Sequence, residues 1–220
     1  MAWIFFLKNK SDTAKVIQEF VAYVERQFKT TILCMITDNG GEYIEAEVNK
    51  FFKSKGMRHL YTPPYSHQSN GVPERYNRTI QTMVRSMLID YPDQRLWGEA
   101  CLLAVYLRNR LPHSQLPQKK TPFEMLYNEQ LSIKHLKPFG SHCYIHIAEE
   151  CRPAGSKLQP RAESAVFVGY TESPLIYKVQ LANQHMFTVR AVNCIFTEPT
   201  SVTTPIPTLS LSELTQNESR

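Results

Sequence analysis

Residues 31–43, TILCMITDNGGEY, indicate the fold class of this chain. Residues 31–36 form an apolar run that is typical of a central strand in a parallel sheet, and polar residues follow at once from Thr37 and Asp38 onward. Folds of the α/β class place ligand chemistry at the carboxyl ends of such strands. The stretch therefore predicts an α/β fold in which Asp38 lies at a functional edge of the sheet.

The patterns on either side of this stretch alternate between strands and helices. Strands are predicted over residues 2–7, a buried aromatic run, and over residues 57–62. Apolar residues at helical spacing predict helices over residues 13–28, 43–55, 73–90 and 93–109. The alternation predicts an α/β layer fold over residues 1–112, with Trp97 in its core.

Pro73 and the residues before it predict a loop ahead of the third helix. Proline suits the first turn of a helix, because its missing N–H leaves no helical bond unmade there. The polar residues 65–71, YSHQSNG, end in the turn dipeptide Asn70-Gly71 and therefore predict a loop. Glu74 then lies in the first turn of the helix that follows.

The character of the chain changes after residue 112. Residues 113–137 predict a connector with one short helical turn, and residues 138–197 contain short β-rich runs separated by turn residues. These runs predict a small β-barrel. Residues 198–220 are rich in Ser, Thr and Pro, a composition that predicts a disordered tail.

The composition of the whole chain excludes several classes of protein. It has 220 residues, a net charge of +5 and 42% hydrophobic residues, which excludes general disorder. No apolar run reaches the roughly 20 residues of a membrane-spanning helix. The opening MAWIFFL lacks the basic residues that precede the apolar core of a secretory signal. We therefore expect a protein that is neither membrane-inserted nor secreted.

The five cysteines lie singly, without a C-x-x-C pair. Their odd number and their spacing argue against a disulfide framework and favour a reducing compartment. The run HCYIH, with Cys143 between His142 and His146, has two interpretations: a zinc site or the alternation of a strand. Alternation is favoured, because the spacing of a four-ligand zinc site is missing.

Asp38 and Glu74 are candidate metal ligands, and 35 residues lie between them. The end of a strand and the start of a helix can meet in space when one β-unit and a loop separate them. Two carboxylates held together favour a divalent cation over a proton, and oxygen ligands suit Mg²⁺ or Mn²⁺. The alternative is a capping Asp38 and a solvated Glu74 near the positive end of a helix. The spacing alone does not decide between them.

Five motifs carry a resemblance to a known family. TDNGGEY at 37–43 and PYSHQSNGVPERYNRTI at 64–80 closely resemble the integrase catalytic core of copia-type long-terminal-repeat retrotransposons. Three further stretches resemble that family in the same order: LWGEACLLAVYLRNRLP at 96–112, TPFEMLYNEQLSIKHLKPFG at 121–140 and KLQPRAESAVFVGY at 157–170. The last is similar to the signature of the small SH3-like barrel that follows the core.

The resemblance implies an RNase H-like core in which Asp38 and Glu74 are catalytic and bind Mg²⁺ or Mn²⁺ for polynucleotidyl transfer during DNA integration. AWIFFLKNKS resembles the third strand of that core. The chain is therefore expected to be truncated at its amino terminus, without the first strands and the first catalytic Asp. Whether it acts as an enzyme is open, and alone it is expected to be catalytically impaired. The alternatives are a non-catalytic DNA- or RNA-binding remnant, a domesticated interaction protein and an unfolded pseudogene product.

The basic residues beside Glu74 are candidate nucleic-acid contacts. Arg75, Arg78 and Arg85 lie at helical spacing on one side of the predicted helix, and Asn70 lies in the loop before it. A solvated helix face is the alternative for the arginines, and an ordinary turn is the alternative for Asn70. The resemblance implies contacts with retroelement ends and target DNA, with RNA as a further candidate, and it implies self-association. It also implies a nuclear location, with a cytoplasmic particle as the alternative.

Overall fold

The computed structural model describes residues 1–38, 40, 46–62, 67–147 and 160–197, and for residues 67–70 it describes the backbone alone. The predicted tail at 198–220 lies outside the described residues. The chain divides into two compact units. The first runs from Met1 to Phe139 and includes Val168–Tyr170, and the second runs from Gly140 to Phe167 and from Thr171 onward. The domain boundaries drawn from the sequence stay a prediction, although residues 113–137 group with the first unit.

The described part of the first unit alternates helices with strands. Its elements are α1 (Thr13–Phe28), β1 (Cys34–Thr37), α2 (Ala46–Ser54), β2 (Arg58–Tyr61), α3 (His67–Asp90), α4 (Trp97–Arg108) and α5 (Pro122–Tyr127). β1 and β2 are parallel, with Cys34 opposite Arg58 and Thr37 opposite Tyr61. A parallel pair requires a crossover, and the chain that links β1 to β2 includes α2. The predicted α/β class is therefore confirmed.

Two apolar clusters stabilise this unit. One contains Ala14 and Val21 of α1, Val48 and Phe52 of α2, and Met57 before β2. The other joins α3 to α4 through Ile80, Ala104 and Val105. The apolar stripes predicted for α1, α2 and α3 therefore face the core, and α1 has the predicted bounds. Burial of these stripes supplies the main favourable free energy of the unit.

Residues 2–7 are not the strand that the sequence predicts. They have no regular structure, and Phe5, Phe6 and Leu7 are exposed. Phe5 instead packs its ring 5.7 Å from that of Phe20 on α1, and Phe6 packs 5.2 Å from Trp97 on α4. A strand exists only when a neighbouring strand pairs with it. Among the described residues, the sheet of this unit consists of β1 and β2.

Two other predictions about this unit are wrong. Trp97, predicted to be in the core, is 55% exposed at the first residue of α4. α3 begins at His67 instead of residue 73, so the backbone of Asn70 is helical and Pro73 lies inside the helix. Proline has a φ close to the helical value, but inside a helix it removes one main-chain hydrogen bond and its ring crowds the carbonyl of the residue four positions earlier. The predicted helix over residues 93–109 is a 3₁₀ turn at Gln94–Leu96 followed by α4.

The second unit is built on a small β-sheet. Its strands are β3 (His142–His146), β4 (Ala162–Tyr170), β5 (Ile176–Leu181), β6 (Met186–Arg190) and β7 (Cys194–Phe196), in the order β6-β5-β4-β3-β7. The last three residues of β4, Val168–Tyr170, group with the first unit. β3 pairs antiparallel with both β4 and β7. Along β3, Cys143 and Ile145 are buried, whereas His142 and His146 are exposed on the other face. The alternation of a half-buried strand therefore accounts for HCYIH, and the short β-rich runs predicted over residues 138–197 form one five-stranded sheet.

None of the helices in the described part of the chain has both the length and the apolar composition that crossing a bilayer would need.

Candidate active site

Asp38 lies directly after β1, at the carboxyl end of the parallel strand pair. The Thr62 N–H donates to the Thr37 carbonyl at 2.9 Å, which ties the ends of β1 and β2 together at this edge. The Asp38 side chain is exposed, and its Oδ1 accepts the Gly40 N–H at 3.1 Å. This contact closes an Asx turn, which fixes the direction of the carboxylate. The position after a strand is the one that the sequence predicts.

A hydrogen-bonded cluster supports the strand end behind Asp38. Thr37 Oγ1 lies 3.0 Å from the Asp38 carbonyl oxygen and 2.9 Å from His59 Nε2 on β2. His59 Nδ1 lies 3.3 Å from Asn49 Oδ1 on α2, and the Tyr61 hydroxyl donates to the same oxygen at 3.3 Å. Burial lowers the pKa of His59 below its usual value. Three elements thus meet immediately behind the candidate carboxylate.

Sequence reasoning missed this cluster. In the parallel register, His59 lies opposite Met35, and Tyr61 lies opposite Thr37. The contact between His59 and Thr37 therefore depends on which strands pair and in which register. The available signal was the histidine in the short predicted strand at 57–62, which becomes informative once a parallel partner for that strand is assumed.

Glu74 lies on α3, exposed to solvent. The helix begins at His67, so Glu74 lies two turns into α3. The sequence predicts Glu74 in the first turn of the helix, and this prediction is wrong. The favourable charge of a helix N-terminus fades within the first turn, so it does not act on Glu74. Convergence of Glu74 with Asp38 stays a prediction.

The donor chemistry of Asp38 and Glu74 suits Mg²⁺ or Mn²⁺, because both offer carboxylate oxygens. Among the described residues, no group of three His, Cys, Asp or Glu side chains comes together in a way that could hold a metal ion. The pair therefore fits a hard cation by ligand type, and most of the six positions around Mg²⁺ would fall to water or substrate.

The candidate nucleic-acid contacts on α3 have different surroundings. Arg75 Nε donates to the Gly71 carbonyl at 3.0 Å, so this side chain lies back along the helix. Arg78 is exposed to solvent. Arg85 is also exposed, and it borders an open cavity of about 370 Å³ whose lining includes Val84 and Ile89. Arg78 and Arg85 are therefore accessible to a polyanion, whereas part of the Arg75 guanidinium already donates to the helix.

Comparison with known proteins identifies the relatives of this chain. Residues 141–207 match the family model described as a retroviral polymerase SH3-like domain. The Retrovirus-related Pol polyprotein from transposon TNT 1-94 of Nicotiana tabacum is 38% identical over 178 residues, which cover 80% of this chain and 13% of that protein. The Pol polyprotein from transposon RE2 of Arabidopsis thaliana is 32% identical over 176 residues, which cover 80% of this chain and 12% of that protein. The chain thus spans a small part of these relatives.

Solved structures with similar backbones include two integrases. The simian T-cell lymphotropic virus intasome in complex with PP2A regulatory subunit B56 gamma is 19% identical with a TM-score of 0.44, and the match covers 88% of this chain and 66% of that chain. The HTLV-2 integrase catalytic core domain in complex with magnesium, in its trimeric form, is 22% identical with a TM-score of 0.40, and the match covers 53% of this chain and 70% of that chain.

The family resemblance inferred from the motifs is thus confirmed by the curated relatives and by the matched domain. This chain is a homologue of a segment of retrotransposon Pol polyproteins, and its residues 141–207 match the model of a retroviral polymerase SH3-like domain.

Proposed function

We propose that this chain is an integrase-derived segment of a retrotransposon Pol polyprotein whose ancestral chemistry is metal-dependent polynucleotidyl transfer in DNA integration. The observation that carries the proposal is the position of Asp38, which is exposed, fixed by an Asx turn and located at the carboxyl end of a parallel β-α-β unit. The homology of the chain to retrotransposon Pol polyproteins favours polynucleotidyl transfer over the other chemistries that occur at the carboxyl edge of a parallel sheet.

Asp38 and Glu74 are the residues that would hold Mg²⁺ or Mn²⁺. When bound, such a cation activates an attacking oxygen and stabilises the leaving oxygen of a phosphodiester. Asp38 Oδ1 already accepts the Gly40 N–H, so Oδ2 would be the oxygen that holds the cation. Glu74 would contribute its carboxylate from α3.

We further propose that the chain alone is catalytically impaired. The family pattern requires a third carboxylate ahead of Asp38, and Asp12 is the one Asp in that part of the sequence. Asp12 Oδ2 accepts the Asn9 N–H at 3.0 Å, at the turn that leads into α1. A residue engaged at a helix start does not replace a ligand on a first strand, so cation binding should be weak and one ion should be misplaced.

The experiment is a strand-transfer assay of the 220-residue chain with labelled retroelement ends and Mn²⁺, beside calorimetric titration with Mn²⁺ alone. We expect weak Mn²⁺ binding that Asp38→Asn and Glu74→Gln each abolish, and no strand transfer. Lys10→Gln, at an exposed turn, is the matched surface control and should change neither measurement. Strand transfer that Asp38→Asn removes would refute the impairment, and Mn²⁺ binding that ignores both substitutions would refute the site.

A second candidate function is nucleic-acid binding without chemistry. The observation that favours it is that Arg78 and Arg85 are exposed on α3 and accessible to a polyanion. Under this function, DNA or RNA binds equally well with and without Mn²⁺, and Asp38→Asn leaves the affinity unchanged. Contact with DNA through α3, self-association and a nuclear location belong to both candidates and are proposed on the basis of the homology.

A further inference from the structure

When His59 is neutral, the hydrogen-bonded cluster behind Asp38 has one proton too few for the contacts described above. The Tyr61 hydroxyl donates to Asn49 Oδ1, so this oxygen is an acceptor, and His59 Nδ1 faces it as the second donor. A neutral His59 that donates from Nδ1 has a bare Nε2, which then needs a proton from the Thr37 hydroxyl. Thr37 has a single hydroxyl proton, and the Asp38 carbonyl lies 3.0 Å from the same oxygen.

The protons can therefore be arranged in two ways, and only the second fills every contact. With neutral His59 in the Nδ1–H form, which the acceptor Asn49 Oδ1 favours, Thr37 donates to His59 Nε2 and leaves the Asp38 carbonyl. With His59 protonated on both nitrogens, Nε2–H donates to Thr37 Oγ1, and the hydroxyl proton passes to the Asp38 carbonyl. Thr37 thus transmits the hydrogen-bonding state of His59 to the main chain of the next residue.

We propose that His59 is a positioning residue for Asp38 and acts through the Thr37 hydroxyl. The inference rests on the proposed function for its purpose, since Asp38 is the candidate cation ligand, but its geometry stands on the described contacts alone. His59 is well placed for this role, because its ring also packs 4.7 Å from Phe52 of the buried cluster and 4.2 Å from Tyr61. These contacts hold the imidazole on a rigid part of the unit.

The titratable groups near this cluster come from three elements. Tyr61 lies on β2 beside His59, Asp38 follows β1, and α2 contributes the neutral amide of Asn49. Of the groups in contact with Thr37, His59 is the one that changes its proton count near neutral pH. Burial holds its pKa below the usual 6.5, so the neutral form is present at pH 7.5.

The test uses two matched pairs in the full chain: Thr37→Val with Thr37→Ser, and His59→Leu with His59→Gln. Valine keeps the shape of threonine without the hydroxyl, and glutamine keeps both an acceptor and a donor in place of the imidazole nitrogens. The amide resonances of Asp38 and Gly40 are followed by NMR between pH 5 and 8, and Mn²⁺ affinity is measured at pH 7.5 by titration with the metal alone.

In the wild type and in Thr37→Ser, the Asp38 and Gly40 resonances should shift with one midpoint below pH 6.5. Thr37→Val and both His59 variants should lose this step, because the relay or the titrating group is gone. Mn²⁺ affinity should fall about fivefold in Thr37→Val and His59→Leu, the size of one lost neutral hydrogen bond. It should stay within about twofold of the wild type in Thr37→Ser and His59→Gln, since serine retains the hydroxyl and glutamine retains an acceptor for it.

A pH step that persists in Thr37→Val overturns the proposal, as does a His59→Gln variant that behaves like His59→Leu in every measurement. The two proposals fail separately. A wild type that binds no Mn²⁺ refutes the proposed function, while the resonance step still decides the role of His59. If the wild type binds Mn²⁺ but its Asp38 and Gly40 resonances show no pH-dependent step, only the positioning role of His59 is refuted.

Discussion

Gly56 holds the backbone angle at which α2 ends. Its φ of +65° lies in the left-handed region, where a Cβ costs about 1 kcal/mol. Gly56→Ala should therefore lower the free energy of unfolding by about 1 kcal/mol, measured by urea denaturation. Gly71→Ala is the matched control, because Gly71 lies inside α3 with open space around its Cα. It should stabilise the chain by up to about 1 kcal/mol. Equal destabilisation by both would contradict this account.

Arg110 shows how one residue joins two elements. Its guanidinium lies 3.4 Å from the centre of the Tyr106 ring and 4.6 Å from that of Phe123, and Nη1 donates to the Tyr106 carbonyl at 3.2 Å. The cation thus caps the last turn of α4 and stacks on α5 at once. Burial of the group lowers its pKa below the usual value of arginine.

A lysine at position 110 would keep the charge but lose the planar stacking and the forked donors. Arg110→Lys should therefore destabilise the first unit by about 1 kcal/mol, as measured by the midpoint of thermal unfolding. Arg26→Lys, at an exposed position in the last turn of α1, is the control and should be neutral. A stability of Arg110→Lys equal to that of the wild type would show that charge alone is sufficient at this position.

At the scale of elements, α3 offers a test of the nucleic-acid interface. Arg78 and Arg85 are exposed on this helix, and each lysine or arginine that neutralises a phosphate contributes about 0.9 to the salt dependence of binding. Arg78→Ala and Arg85→Ala should each weaken binding to duplex DNA across sequences and reduce the slope of log K against log salt by about one. Fluorescence anisotropy at several salt concentrations measures both effects.

Arg95 provides the control for this experiment, because it lies outside α3 and its Nη2 is 2.7 Å from Asp93 Oδ2. Arg95→Ala should leave the salt slope unchanged. Arg75→Ala should have a smaller effect than Arg78→Ala, since the Arg75 side chain already donates to the Gly71 carbonyl. A salt slope that is the same in all four variants would remove α3 from the interface.

Sequence patterns predict best those elements whose apolar residues recur with the period of the element itself and so define its buried face. α1 has the predicted bounds because its apolar stripe is a property of the helix itself. The strand predicted over residues 2–7 is wrong because strand formation is not a local property. An aromatic run becomes a strand only beside a partner strand, and here the run packs on Phe20 and Trp97 instead. The start of α3 fails because proline at the first turn is a preference and not a requirement.

The candidate site also has one part that the sequence predicts and one part that it does not. The position of Asp38 follows from a local rule, a polar residue directly after an apolar strand, and it is where the sequence places it. The contact between Thr37 and His59 depends on a parallel register between residues 22 positions apart. No local pattern contains that register, so the cluster that supports Asp38 becomes visible only in three dimensions.

At the scale of the whole molecule, two partly buried histidines make the stability depend on pH. Burial lowers the pKa of His59, and burial together with the nearby Arg110 cation lowers that of His135. The unfolded chain keeps the usual histidine pKa of 6.5, so below that pH it binds more protons than the folded chain. The free energy of unfolding therefore falls as the pH drops through 6.5 and below. Glu25 and Glu124 have lowered carboxyl pKa values, so the free energy of unfolding falls further as the pH drops below 4.5.

The prediction is a lower midpoint of thermal unfolding at pH 5.5 than at pH 7.5, measured on the full chain by circular dichroism at constant ionic strength. His135→Gln should reduce this difference, because glutamine can still meet the Tyr106 hydroxyl that lies 2.7 Å from His135 Nε2 but takes up no proton. His142→Gln is the matched control, since the His142 side chain is exposed on β3, and it should leave the difference unchanged. An identical midpoint at both pH values would mean that the folded chain accepts protons on His59 and His135 as readily as the unfolded chain does.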